Sequence, residues 1–129
     1  MEPIDPSTYG VSNVDWENAK EELRKILIKC ARKRQIKNYQ QIKDELTTID
    51  LDAYELLWFH IIAGLLGAVL IEELEAGRPA LCVLVVNNEK HIPGAGFYPI
   101  VEEYLGIVAS DYDAYAFKHM KEVYTYYRK

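Results

Sequence analysis

Cysteine is scarce in this chain of 129 residues: Cys30 and Cys82 stand alone in apolar stretches, with no second cysteine or histidine at ligand spacing. The chain therefore has no disulfide framework and no CxxC or zinc-type pattern, and both thiols are expected in the core of a protein kept in a reducing cytoplasm. The three histidines, His60, His91 and His119, form no HExxH or HxxH pair, so the sequence supports neither a metal site nor a cofactor. GxSxG and Gly-Lys-Ser/Thr are absent, and Ser12 and Ser110 read as helix caps. No catalytic residue set can be assembled. A basic leader is missing too, since the first fifteen residues carry Glu2, Asp5 and Asp15 and no Lys or Arg.

Positive charge is in deficit overall. The net charge of −5 makes the molecule as a whole repel nucleic acid and anionic membrane surfaces. Nine of the fifteen Lys and Arg residues are bunched between Lys20 and Lys43. Their plain reading is a solvated helix face. The alternative is a phosphate-binding face formed by Arg24, Lys29, Arg32, Lys33, Arg34 and Lys37. A composition that is half hydrophobic and about a quarter charged predicts a single folded domain over residues 12–129, preceded by an irregular arm, 1–11, that contains Pro3, Pro6 and Gly10.

What the chain does have is one long apolar run, Leu56 to Ile71, in which His60 is the only strongly polar side chain. A membrane span needs about twenty apolar residues. This run ends at Glu72, Glu73 and Glu75 and holds Gly64 and Gly67, so it reads as the buried helix of a soluble domain. His60 is then expected to be a core histidine.

The neighbouring segments predict what surrounds that helix. Ser12 and Asp15 form a capping box for a first helix over 13–34, with Trp16, Ala19, Leu23, Ile26, Leu27 and Cys30 on one stripe. Asn38 caps a short helix from Tyr39 to Leu46, and Asp50 starts a long third helix over 51–75, ended by Gly77-Arg78-Pro79. Ala80 to Asn87 is rich in Val and Leu and reads as a strand, turned back through Asn87-Asn88-Glu89-Lys90 into a weaker strand at His91-Ile92. A short helix over 98–105 and a last one to Tyr127, capped by Ser110 or Asp111, complete the chain. The expected class is α+β and mainly helical. Three N-terminal helices, a β-hairpin and two C-terminal helices around a long buried central helix give a winged-helix-like order. A winged helix reads DNA through its third helix, yet residues 51–75 contain no Lys or Arg for base edges.

Gly77-Arg78-Pro79-Ala80-Leu81 and Pro93-Gly94-Ala95-Gly96-Phe97, with Tyr39-Gln40-Gln41-Ile42 as a partial match that has Ile in place of Leu, occur in an order that resembles a pattern of small uncharacterised bacterial proteins: a YxxL helix, a GRPxL lead into a strand and a PGxGF loop. The resemblance spans most of residues 38–105. It implies a bacterial source and an intact fold, and no activity.

The Pro93–Phe97 loop is the sharpest motif. Two glycines before a helix can turn backbone N–H groups onto an anion, which makes His91, Gly94 and Gly96 the candidate ligand-binding residues. The plain reading is a tight turn with Phe97 as a core plug. Tyrosine is abundant, ten in all. Tyr112, Tyr115, Tyr124 and Tyr127 on the last helix are candidate interaction residues, because tyrosine contributes contact area together with a hydrogen bond. Tyr112, Tyr115, Ala116, His119, Val123 and Tyr126 are available for that helix's packed face. The leading expectation is a small acidic cytoplasmic module, not an enzyme, that binds another protein or a second copy of itself as an inhibitor, immunity or regulatory subunit does. The alternatives are a nucleic-acid-binding winged helix and a small enzyme or ligand-binding protein centred on His91 and the 93–97 loop.

Overall fold

The computed structural model describes residues 6–89, 91–94, 96–106 and 110–128. The helix-capping residues behave as their chemistry dictates. Ser12 accepts a hydrogen bond from the Asp15 backbone and starts α1 (Asn13–Lys33), which ends on Arg34 in the left-handed region at φ 54°. Asn38 and Gln41 form a reciprocal capping box at the start of α2 (Tyr39–Glu45). The helix that follows starts later than the expected 51–75. Residues Leu51–Leu57 form 3-10 turns broken at Glu55 (φ 52°, ψ −122°), and the α-helical hydrogen bonding of α3 begins only at Trp58 and runs to Glu75. Gly77, at φ 74°, takes the left-handed position past the end of α3, and the Arg78 N–H bonds back to the Glu73 carbonyl. Helix α4 (Phe97–Leu105) is closed by Gly106 at φ 72°, and Asp111 caps α5 (Tyr112–Tyr126) by accepting from the Ala114 backbone.

The expected β-hairpin and the winged-helix, α+β class are corrected by the structure, which is mainly helical with no strand among the described residues. Leu81–Leu84 is a 3-10 turn, and the segment's only β-type pairing is one isolated parallel bridge between Lys37 and Val85. The reason is burial on every side. Ala80 to Val86 are all buried, so the run has no alternation to separate a strand from a tight helix, and no second extended segment lies alongside it. Its backbone is satisfied locally, by Val83 N–H to Ala80 O and Val85 N–H to Cys82 O. Lys37 supplies the rest, donating to Leu84 O and accepting from Val86. The supposed returning strand is a turn in which Asn87 and His91 bond within the loop, and Lys90 lies outside the described residues. The expected N-terminal arm is ordered from Pro6 on: Pro6–Tyr9 form a 3-10 turn and Val11 is buried, while residues 1–5 lie outside the described residues.

One cluster of buried apolar side chains runs from Val11 to Tyr127. Helix α3 sits inside it and touches α1, α2, α4, the 51–57 turns and the 81–84 turn, while α5 packs on that last turn and on α1. From Ile61 to Ile71 helix α3 is buried nearly all round, including Ile62, Leu65, Leu66 and Val69, with Trp58 partly covered. The segment 51–75 is long and apolar enough to cross a membrane by length and composition, and half of its most apolar window is buried inside this fold.

Glu73 is the exception in that apolar helix. Its side chain is fully buried, and it is ion-paired to Arg24 of α1 and to Arg78, whose Nε lies 2.6 Å away. The Tyr127 hydroxyl donates to the same carboxylate at 2.9 Å. Burial alone would push the Glu73 carboxyl up. The hydrogen bonds from Arg78, Arg24 and Tyr127 outweigh it and hold the group below its ordinary value.

Candidate binding site

The sequence Ala63, Gly64, Gly67, Ala68 puts small residues three and four positions apart on α3, which leaves a notch along one face of the helix. Helix α4 bridges the notch without filling it. A side-chain carbon added at Gly67 would lie 3.8 Å from Ile100 Cδ1, an ordinary contact with room to spare. The result is a cavity of about 330 Å³ between α3, α4 and the loop residues Pro93, Gly94 and Gly96, with Cys82 and Val85 among its lining residues.

Tyr39 and Phe59 form the edge of the cavity. Their rings stack at 4.4 Å with an interplanar angle of 17°, and Phe59 is 47% exposed. Beyond Phe59 the apolar surface continues over Leu57 to Leu56, which is 86% exposed just after the break at Glu55. The first turn of the long apolar run is thus at the surface, and His60, expected in the core, is exposed with it. The buried histidine is His119 of α5, set edge-on against Phe97 and Tyr115.

The sequence-predicted ligand residues are only partly brought together. Gly94 and Gly96 line the cavity, whereas His91 is exposed, lies outside the lining and adopts φ 56° within its turn. Ala95 lies outside the described residues. The Phe97 N–H is taken by the Gly94 carbonyl, and Gly96 caps α4 with no side-chain bond, so the loop acts as a turn that walls an apolar space. Nothing in local sequence links this loop to Tyr39, some fifty residues earlier. The loop glycines were read from the sequence, and the small-residue spacing on α3 is a further signal that could have been.

Of the interaction tyrosines, Tyr112 is half exposed and stacks on Tyr98 at 3.9 Å. Tyr115 and Tyr127 are buried and Tyr124 is partly so. The exposed aromatic residues of α5 are instead Tyr112, Phe117 and Tyr126, which corrects the expected packed face at both its ends.

Five of the nine basic residues between Lys20 and Lys43 pair with carboxylates. Lys20 pairs with Glu17 and Glu72, Arg24 with Glu73, Lys25 with Glu21, Lys37 with Glu45 and Lys43 with Asp52. Lys29, Arg32, Lys33 and Arg34 are exposed around the C-terminal end of α1, where positive charge complements the helix dipole.

Neither thiol is poised for chemistry. Cys82 donates to the Leu66 carbonyl at 3.2 Å, and burial pushes both Cys30 and Cys82 up, away from the reactive thiolate. Among the described residues no group of three or more His, Cys, Asp or Glu is placed to hold a metal ion. No family model, no curated protein and no solved structure matches the chain.

Proposed function

We propose that this chain is a small non-catalytic protein-interaction module of the inhibitor, immunity or regulatory-subunit type, acting in the cytoplasm through the apolar surface at the start of α3. The observation that carries the reading is Leu56, 86% exposed beside Leu57 and Phe59, which are 45% and 47% exposed. Contiguous apolar side chains in water are costly unless something covers them, at about 25 cal/mol for each Å². The turn at Glu55 holds them outward, and the exposed Glu55 sets a negative charge next to them in the chain. A partner with an apolar patch rimmed by Lys or Arg matches that surface and the acidity of the whole chain. The raised thiols and the purely structural use of Glu73 support a role without catalysis. The likeness to small bacterial proteins in the 38–105 segment suggests a bacterial setting.

The test is capture of the partner from the host lysate by the wild-type chain, with Leu56→Asp and Leu57→Asp as paired baits. The expected result is a protein retained at high salt by wild type and lost from both variants, whose melting temperatures stay unchanged. Equal retention by wild type and variants would remove this surface from the reading. Sedimentation of the purified chain shows whether the partner is a second copy.

A further inference from the structure

We infer that the cavity between α3 and α4 is a binding site for a neutral, mainly apolar small molecule of about two fused rings, carrying one polar atom that hydrogen-bonds the Tyr39 hydroxyl. This does not depend on the interaction surface at Leu56.

Size comes first. The volume is about 330 Å³. A dry cavity of roughly 150 Å³ takes one benzene, and small-molecule pockets begin at about 300 Å³. The space opens to solvent beside Phe59, which is 47% exposed, so a ligand can reach it from the surface. Water in the open pocket finds few polar side chains to bond, because the described lining side chains are almost wholly apolar, so an apolar ligand gains by displacing it.

Charge comes second. Among the described residues no Asp, Glu, Lys, Arg or His lines the space, so an ionised ligand would lose hydration there with no counter-charge from them in return. The polar side chains of the lining are those of Tyr39 and Cys82. The Cys82 thiol is already bonded to the Leu66 carbonyl. The Tyr39 hydroxyl lies 3.6 Å from where a side chain on Gly94 would begin, at the polar end of the space. Burial raises its pKa, which keeps it a neutral donor at physiological pH. A ligand hydroxyl or carbonyl at the Tyr39 end accepts from it.

Gly67 is the position that keeps the space open. Its backbone is ordinary helix and its neighbour Ile100 leaves room for a methyl, so nothing in the fold itself demands glycine there.

The probe is β-naphthol, neutral at pH 7, compared with the charged β-naphthoate and with neutral β-naphthamide as its size control, by titration against the full chain with amide NMR. The expected result is saturable one-to-one binding of β-naphthol, with shifts at Gly64, Gly67 and Gly94 and a raised melting temperature, and β-naphthoate weaker than β-naphthamide by about tenfold or more. Tyr39→Phe should weaken β-naphthol about two- to tenfold, the worth of one neutral hydrogen bond. Gly67→Leu should abolish binding by filling the space, and Ala63→Leu, at a half-buried position on the same face, does so should Gly67→Leu not fold. No binding of β-naphthol by wild type, equal binding of β-naphthoate, or full affinity in either folded filling variant overturns the assignment.

Discussion

The Tyr127 hydroxyl donates to Glu73 Oε2 at 2.9 Å, and this single bond ties the end of the chain to the last turn of the central helix. Because Arg24 and Arg78 share the same carboxylate, the two deletions differ in severity. Tyr127→Phe removes one bond and should cost about 1–2 kcal/mol. Glu73→Ala leaves two guanidinium groups and a hydroxyl without their shared acceptor; each arginine side chain keeps about a third of its surface in solvent, so the cost should be roughly 2–3 kcal/mol. Urea unfolding of the two variants measures both.

Glu22 predicts part of the acid sensitivity. It accepts from the backbone N–H and the hydroxyl of both Thr47 and Thr48, bracing the segment after α2 against α1. Burial raises its pKa, and those bonds outweigh it and set the folded value below the ordinary 4.5. The stabilisation is therefore present above that ordinary value and disappears as pH falls through the lower, folded one, as it does for Glu73. Wild type should lose stability steadily below about pH 5, and Glu22→Gln should lose less over the same interval because it has already lost the carboxylate.

His119 acts with the same sign at a higher pH. Both its ring nitrogens lack a hydrogen-bond partner, although Glu122 Oε2 stands 3.4 Å from Nδ1. Burial holds the imidazole below its ordinary 6.5, against the raising pull of Glu122 and with Lys118 adding to the depression. Protonation favours the unfolded chain, so stability should begin to fall as pH drops below 6.5. His119→Leu removes a buried polar group that is poorly paired. It should be neutral or up to about 1 kcal/mol more stable at pH 7 and should flatten melting temperature against pH in this range.

The central helix is predicted to be intolerant in its middle and tolerant at its start. Leu65 is fully buried, so Leu65→Asp should unfold the domain, at a cost above about 4 kcal/mol. Leu66→Asp should do the same, since Leu66 is 7% exposed. Leu56→Asp should stay within about 0.5 kcal/mol of wild type in urea. A stable Leu65→Asp protein would remove α3 from the centre of the fold.

Helix termini were the most legible part of the sequence because caps act locally: Ser12, Asn38, Asp111, Gly77 and Gly106 each do what their side chains or backbone freedom allow. The 80–87 segment was not legible. A run buried on all sides has no period, and only the position of Lys37 decides how its backbone is satisfied. The break at Glu55 has no local marker, since neither Gly nor Pro occurs in 50–57. On α5 the alternatives differed by a small rotation, and that rotation is set by contacts made from Tyr127 to Glu73 and from Tyr115 to Tyr98. The candidate cavity combined one readable loop with a notch whose opposite wall is supplied by tertiary packing. Sequence could name Gly94 and Gly96 and could not place them beside Tyr39.

A helix that is apolar on every side carries little information about which way round it should sit, because hydrophobic burial rewards each rotation almost equally. In α3 that ambiguity is removed by one residue. Only a single azimuth of the helix delivers the Glu73 carboxylate to Arg24, Arg78 and Tyr127 at once. Any other leaves a charge in the core. Glu73 thus works as an angular key, and through it the face of α3 that carries Gly64 and Gly67 comes to line the cavity.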